Sequence, residues 1–284
     1  MIPASVEYKR AGSVDEAVAL LAANSGAKIL AGGHSLIPAM KLRLNSPEML
    51  IDIARIAELR FIKDRGNFVA IGAASTHRDI IEDKHIKSRY TAMTEAGELI
   101  GDTQIRNVGT LGGSIAHADP AADWPAVLLA LDATVKVQGP NGNRKIAAQD
   151  FFTGFFSTAL EDGEIVTEIQ LPEPVAGQKS AYRKFMQPAS RFAIVGCAAC
   201  VTMENGVVAD VKVGLAGVSD GPFREEAVEV ALKGKTATLE NIEMAANAAA
   251  EGMNINHDHF ASQSYRKHLA KVYVKRALMG ACGM

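Results

Sequence analysis

The chain has only three cysteines among its 284 residues, Cys197, Cys200 and Cys282. An iron–sulfur cluster normally takes four thiolates, so this polypeptide is not expected to hold one alone. Cys197 and Cys200 match C-x-x-C in spelling. They stand, however, in Ala193-Ile-Val-Gly-Cys-Ala-Ala-Cys-Val-Thr-Met203, which reads as a buried strand. Residues three apart on a strand face opposite sides, so the sulfurs diverge and are expected to be inert core thiols. Charge of one sign is also scarce. A net charge of −2 provides no global field to draw in nucleic acid or an anionic membrane. No apolar run approaches the length of a membrane span. The first ten residues lack the apolar stretch of a signal peptide, and the expectation is a soluble cytoplasmic protein. No internal repeat or low-complexity segment is present. No His/Asp/Glu set has convincing metal spacing. There is also no nucleophile–base pair and no paired carboxylate arrangement that would define a hydrolase.

What is there is ordinary in bulk, 48% apolar and 22% charged, and long enough to bury a sizeable core in two domains. Ser13-Val-Asp-Glu16 has the form of a capping box and predicts a helix ending near Asn24-Ser25-Gly26. Lys28 to Ala31 and Met49 to Ile53 read as buried strands, with a short helix from Leu36 to Leu44 between them. Strands follow at Phe68–Gly72, Ala133–Gln138 and Glu164–Leu171, and helices at Ser75–Asp83, Tyr90–Ile100 and Asp123–Leu131. Gly139-Pro-Asn-Gly142 marks a hairpin, and Phe151 to Phe156 a dense aromatic patch. Pro172 to Gly177 reads as a linker. Beyond it lie a meander (Tyr182–Phe185, Phe192–Met203, Val207–Val218) and three helices (Arg224–Leu232, Leu239–Ala249, Tyr265–Met279). Strands followed by helices imply an α+β second domain.

Two glycine-rich stretches stand out, Ala31-Gly32-Gly33-His34-Ser35 and Gly109-Thr110-Leu111-Gly112-Gly113-Ser114. Paired glycines remove Cβ atoms, so main-chain N–H groups can converge on an anion. Ser35, Thr110 and Ser114 add hydroxyls beside those amides, and the Leu36 helix would point its N-terminus into the first stretch. Neither stretch is a P-loop, since no Gly-Lys-Ser/Thr follows, and neither is G-x-G-x-x-G. The spacing leads us to expect two loops that close on one pyrophosphate.

Ala31-Gly-Gly-His-Ser-Leu-Ile-Pro38, Ile105-Arg106 and Gly109-Thr-Leu-Gly-Gly-Ser114, with Ala118-Asp-Pro-Ala-Ala-Asp123 just after, resemble the FAD-binding medium subunit of the molybdenum hydroxylases. The carbon monoxide dehydrogenase type is the nearest match, and the resemblance runs over almost the whole chain. It implies an α+β chain with two parts. The first is a PCMH (vanillyl-alcohol-oxidase-like) FAD domain over 1–176, made of two α/β subdomains at about 1–57 and 58–176. The second is a C-terminal domain over 177–284. It also implies non-covalent FAD held by Ile29, Leu30, Ala31, Gly32, Gly33, His34, Ser35 and Leu36, and by Gly109, Thr110, Leu111, Gly112, Gly113 and Ser114. Ile100 and Gly101 would lie next to the flavin, and Asp123 at the ribose or adenine end. Val166 would be an apolar contact, Lys184 a cation near the isoalloxazine, and Phe192 would stand where some relatives place Tyr. His117 and Asp119, close to the second stretch, are further candidates. The family usually has Asn where Ser114 stands.

By the same resemblance this chain is an electron-transfer subunit and contributes no catalytic residue of its own. A small [2Fe–2S] subunit and a large molybdopterin subunit would be its partners, in a dimer of heterotrimers. Read singly, the residues admit plainer roles. Asp123 equally suits the start of a helix. Lys184 suits a solvated strand position, Phe192 and Val166 the core, and His34 a satisfied loop. His77, in Ser-Thr-His-Arg-Asp, reads as structural. Two other functions fit parts of the pattern. One is a free-standing PCMH-type flavin oxidase, with FAD possibly attached through His34. The other is a non-catalytic scaffold that has kept the fold.

Overall fold

A computed structural model describes residues 2–284. The N-terminal subdomain holds β1 (Glu7–Arg10), α1 (Val14–Ala23), β2 (Ala27–Leu30), α2 (Leu36–Lys41) and β3 (Met49–Asp52). Its strands form a parallel sheet in the order β1-β3-β2. Central β3 is buried at every position, as a continuous apolar run requires. Ser13 caps α1 by accepting the Glu16 amide at 3.1 Å. The reciprocal half of the expected capping box is displaced by one residue: Glu16 accepts from the Gly12 amide at 2.7 Å.

The second subdomain starts with β4 (Ile62–Asp64) and β5 (Phe68–Gly72). Six short helices follow: α3 (His77–Glu82), α4 (Lys84–Arg89), α5 (Thr91–Leu99), α6 (Thr103–Val108), α7 (Leu111–His117) and α8 (Asp123–Ala130). Next come β6 (Thr134–Gly139), β7 (Gly142–Ala147), the single turn α9 (Ala148–Phe151), the small hairpin β8 (Phe152–Gly154) and β9 (Ser157–Thr158), and β10 (Ile165–Pro172). The main sheet is antiparallel in the order β4-β5-β10-β6-β7. Helix α8 is buried along its whole length. Its Trp124 is fully covered and donates its indole N–H to His77 Nδ1 at 3.0 Å.

The C-terminal part is the antiparallel sheet β11 (Gln178–Met186), β12 (Ala193–Glu204), β13 (Val207–Ala216) and β14 (Phe223–Arg224), in that spatial order. Helices α10 (Glu226–Leu232), α11 (Leu239–Ala246) and α12 (Gln263–Ala281) follow it. One face of this sheet packs on α5 and α8 and the other on α12. Cys200 faces the first side and Cys197 the second, so the sulfurs diverge as expected. Burial pushes both thiols up. The architecture is the expected α+β arrangement.

Two backbone approaches fix the layers. A Cβ on Gly214 of β13 would strike the Ala126 carbonyl of α8, so the sheet and the helix meet main chain to main chain. Gly214→Ala should therefore lower unfolding stability by about 2 kcal/mol through overpacking. A denaturant midpoint equal to wild type would show that the contact has slack. His77 supplies a second handle. Burial, and then positive charge at His34 and Arg106, push its imidazole down to about 4 from the ordinary 6.5. The neutral ring is the native form, so its contribution is complete above pH 6.5. That contribution declines as pH falls toward 4, because only the unfolded chain takes up the proton there. The loss amounts to about 3 kcal/mol across that window. His77→Asn keeps an acceptor near Nδ1 and removes the titration. Denaturant titrations from pH 7 to 4 should show the wild type losing stability relative to this variant. Parallel curves would contradict the assignment.

Candidate functional site

The strand β2 runs directly into Ala31 to Ser35, and α2 begins at Leu36. Gly33 has φ +71°, a conformation that suits glycine. Among the described residues nothing accepts a hydrogen bond from the amides of Gly32, Gly33, His34 or Ser35. Four successive main-chain donors are thus left open at one turn, which is the arrangement an anion recruits. The Ser35 hydroxyl makes no capping bond, and the His34 side chain is exposed. Ile29 and Leu30 are half-buried, and Ile29 packs with the core of the first subdomain.

The second stretch differs from the sequence expectation. It is not an open loop but the start of α7, with Thr110 as N-cap. Its amides are spent inside the protein. Leu111 donates to the Ser75 carbonyl at 3.1 Å, Gly112 to the Ala73 carbonyl at 2.9 Å, and Ser114 to the Thr110 carbonyl at 3.0 Å. Gly113 donates to Thr110 Oγ1 at 3.1 Å. Gly112 is there for close packing, since an added Cβ would lie 2.5 Å from that of Ala73. Leu111 is wholly in the core. The convergence of amides expected here is therefore not what the segment offers. It presents exposed Gly113 and half-buried Ser114, and the Ser114 hydroxyl has no partner among the described residues. Gly109 is buried, with His77 Nε2 where its Cβ would go.

The two stretches touch. A Cβ on Gly32 would collide with the Val108 carbonyl and lie 2.8 Å from the Gly109 Cα. Ala31 and Gly113 also face each other, with an added Cβ on Gly113 3.7 Å from that of Ala31.

Asp123 is the first residue of α8 and makes no capping bond. Its carboxylate is buried, with one oxygen accepting from the Tyr182 hydroxyl and the other from Lys184 Nζ at 2.8 Å. Burial pushes the carboxyl up, and the Lys184 ammonium opposes that shift. Burial, then the Asp123 charge, push the Tyr182 phenol well up. The Lys184 side chain has 0% exposure, so it is not the solvated strand residue that its type alone suggests. Its ammonium also donates to the Leu99 carbonyl at 3.3 Å. The next two carbonyls, Ile100 and Gly101, accept from Arg106 at 3.0 and 3.1 Å. The turn after α5 is thus held by both side chains. In this arrangement each Asp123 oxygen already has a donor, and Lys184 is covered.

The remaining candidates lie around this frame. His117 ends α7 and its ring lies 5.1 Å from that of Phe156. Burial pushes its imidazole down and the Asp119 carboxyl up. Asp119 accepts the Ala121 amide at 2.8 Å, holding the turn before α8. Val166 is in the core. Phe192 sits 42% exposed in the turn between β11 and β12, not in the core. Tyr182 was missed by sequence reasoning. Its signal was the strand period of two, which puts it on the same face as Lys184.

Residues 4–174 match the family model for the FAD binding domain in molybdopterin dehydrogenase, and residues 180–281 that for the CO dehydrogenase flavoprotein C-terminal domain. The carbon monoxide dehydrogenase medium chain of Hydrogenophaga pseudoflava is 41% identical over 282 residues, covering 99% of this chain and 98% of that one. The glyceraldehyde dehydrogenase medium chain of Sulfolobus acidocaldarius is 39% identical, with 98% of each chain covered. Among solved structures, a chain of the carbon monoxide dehydrogenase from Hydrogenophaga pseudoflava superposes with TM-score 0.97 at 43% identity, covering 100% of this chain and 99% of that one. Quinoline 2-oxidoreductase from Pseudomonas putida 86 gives TM-score 0.94 at 29% identity with the same coverage. The chain belongs to the FAD-binding medium chains of the carbon monoxide dehydrogenase type, within the molybdenum hydroxylases.

Proposed function

We propose that this chain is the flavin-bearing electron-transfer subunit of a molybdenum-containing dehydrogenase. In this reading FAD sits, without a covalent bond, between the Gly32–Ser35 turn and the start of α7. The row of open amides carries it: four successive unpartnered donors suit an anionic group such as the FAD diphosphate. Hydrogen bonds to a charged acceptor contribute roughly 1.5–3 kcal/mol each, so such a row can hold the cofactor unaided. The Ser114 and Ser35 hydroxyls add donors at its margins. The Leu99–Gly101 turn and Phe192 would flank the isoalloxazine, with His34, His117 and Asp119 near the opening. Asp123, at the ribose or adenine end, and Lys184, near the isoalloxazine, would act as the buried ion pair they form. When bound, FAD supplies the exchange between one-electron and two-electron carriers. The chain's own work is to bind, orient and shield it.

The named relatives are medium chains or subunits of larger assemblies. In our reading the partners are a small [2Fe–2S] subunit and a large molybdopterin subunit, in a dimer of heterotrimers in the cytoplasm. Three cysteines, two of them buried and one half-buried, provide no cluster site here, so electrons must arrive from outside the chain. No helix of the described residues is long and apolar enough to cross a membrane. The break between Pro172 and Gln178 would divide an FAD domain over 1–176 from a C-terminal domain over 177–284.

Gly33→Val adds a β-branched side chain at φ +71°, in the middle of the open amides. FAD retention on gel filtration should fall at least tenfold, about the loss of one charged hydrogen bond; full retention would remove the physical basis of the site. A second expectation concerns division of labour. The isolated chain reconstituted with FAD should show a flavin spectrum, release all flavin on acid precipitation, and fail to oxidise CO, aldehydes or N-heterocycles. Flavin that stays with the precipitate would instead favour an oxidase with FAD attached at His34.

A further inference from the structure

We propose that Tyr182 is a positioning residue of the flavin site, acting through Asp123 and Lys184 on the Leu99–Gly101 turn. This rests on the FAD reading above. The phenol lies in a core where a phenylalanine would satisfy every apolar contact. Its hydroxyl is therefore the feature that needs a reason, and among the described residues its partner is the Asp123 carboxylate. The neighbouring strand makes room for that hydroxyl. Gly196 of β12 stands opposite Lys184 in the register, and a Cβ there would overlap the Tyr182 oxygen. Gly196 is an ordinary strand position without positive φ, where glycine is otherwise unfavourable.

The hydroxyl occupies one Asp123 oxygen, which leaves the other for Lys184 alone. A carboxylate freed from Tyr182 can turn both oxygens to the ammonium and draw it from the Leu99 carbonyl. That carbonyl immediately precedes Ile100 and Gly101, whose own carbonyls accept from Arg106. Loss of the Lys184 bond leaves the turn tethered by Arg106 alone. Tyr182 thus sets the place of the turn without touching the cofactor.

The test is Tyr182→Phe in the assembled complex, comparing FAD dissociation constant, visible circular dichroism of the bound flavin and Tm with wild type. The expected result is an FAD dissociation constant raised about tenfold, as for one hydrogen bond to a charged group, with altered flavin dichroism. Gly196→Ala, which displaces the hydroxyl, should do the same. Adding it to Tyr182→Phe should cost no further FAD affinity. If Tyr182→Phe prevents assembly, Gly196→Ala decides on the same readings. A lowered Tm with affinity and dichroism unchanged would show a merely structural hydroxyl and overturn the proposal. Gly33→Val run alongside separates the two readings. If it too keeps FAD, the cofactor site itself is wrong; if it alone loses FAD, only the role of Tyr182 falls.

Discussion

Main chain meets main chain where Gly32 lies on Val108 and Gly109, with no space for a side chain. That contact brings the first subdomain's turn against the second subdomain's α7, and it determines what each can offer. The α7 segment spends its amides within its own subdomain, donating to Ala73, Ser75 and Thr110. The Gly32–Ser35 turn leaves its amides without a protein acceptor among the described residues, so the two stretches differ in what they offer an anion.

The Asp123–Lys184 pair ties α8, the end of α5 and strand β11 into one unit. Burying two charges is expensive, and removing one partner would cost about 3–5 kcal/mol by leaving the other uncompensated. A pair of that kind adds little net stability, but it tolerates few alternative arrangements. The C-terminal sheet is therefore not a separate appendage. It reaches into the FAD domain at the turn the proposed flavin site uses, and Gly214 against Ala126 closes the same joint from another strand.

Local patterns were legible in the sequence where they depend on neighbours along the chain. The buried strands on either side of α2, the divergent cysteines of β12 and a helix within Ser75–Asp83 all follow from spacing. The failures were tertiary. Two adjacent glycines argue against a helix, yet Gly112 and Gly113 open α7 because Ala73 leaves no room for anything larger and Thr110 caps the turn. Glu16 reached Gly12 instead of Ser13, a one-residue matter of approach. Lys184 looked like a surface residue because its partner, Asp123, is 61 positions away. Tyr182 shares the face of Lys184 by strand period, but its partner Asp123 is just as distant in sequence.

The central claim is that the first stretch donates its amides to FAD while the second has already spent its own. Peptide-resolved amide hydrogen exchange of the chain with and without FAD tests this directly. The account predicts that peptides spanning residues 32–35 exchange freely without FAD and become protected when it binds, whereas those spanning 111–114 are protected in both states. Unchanged exchange at 32–35, or protection gained only at 111–114, would contradict it.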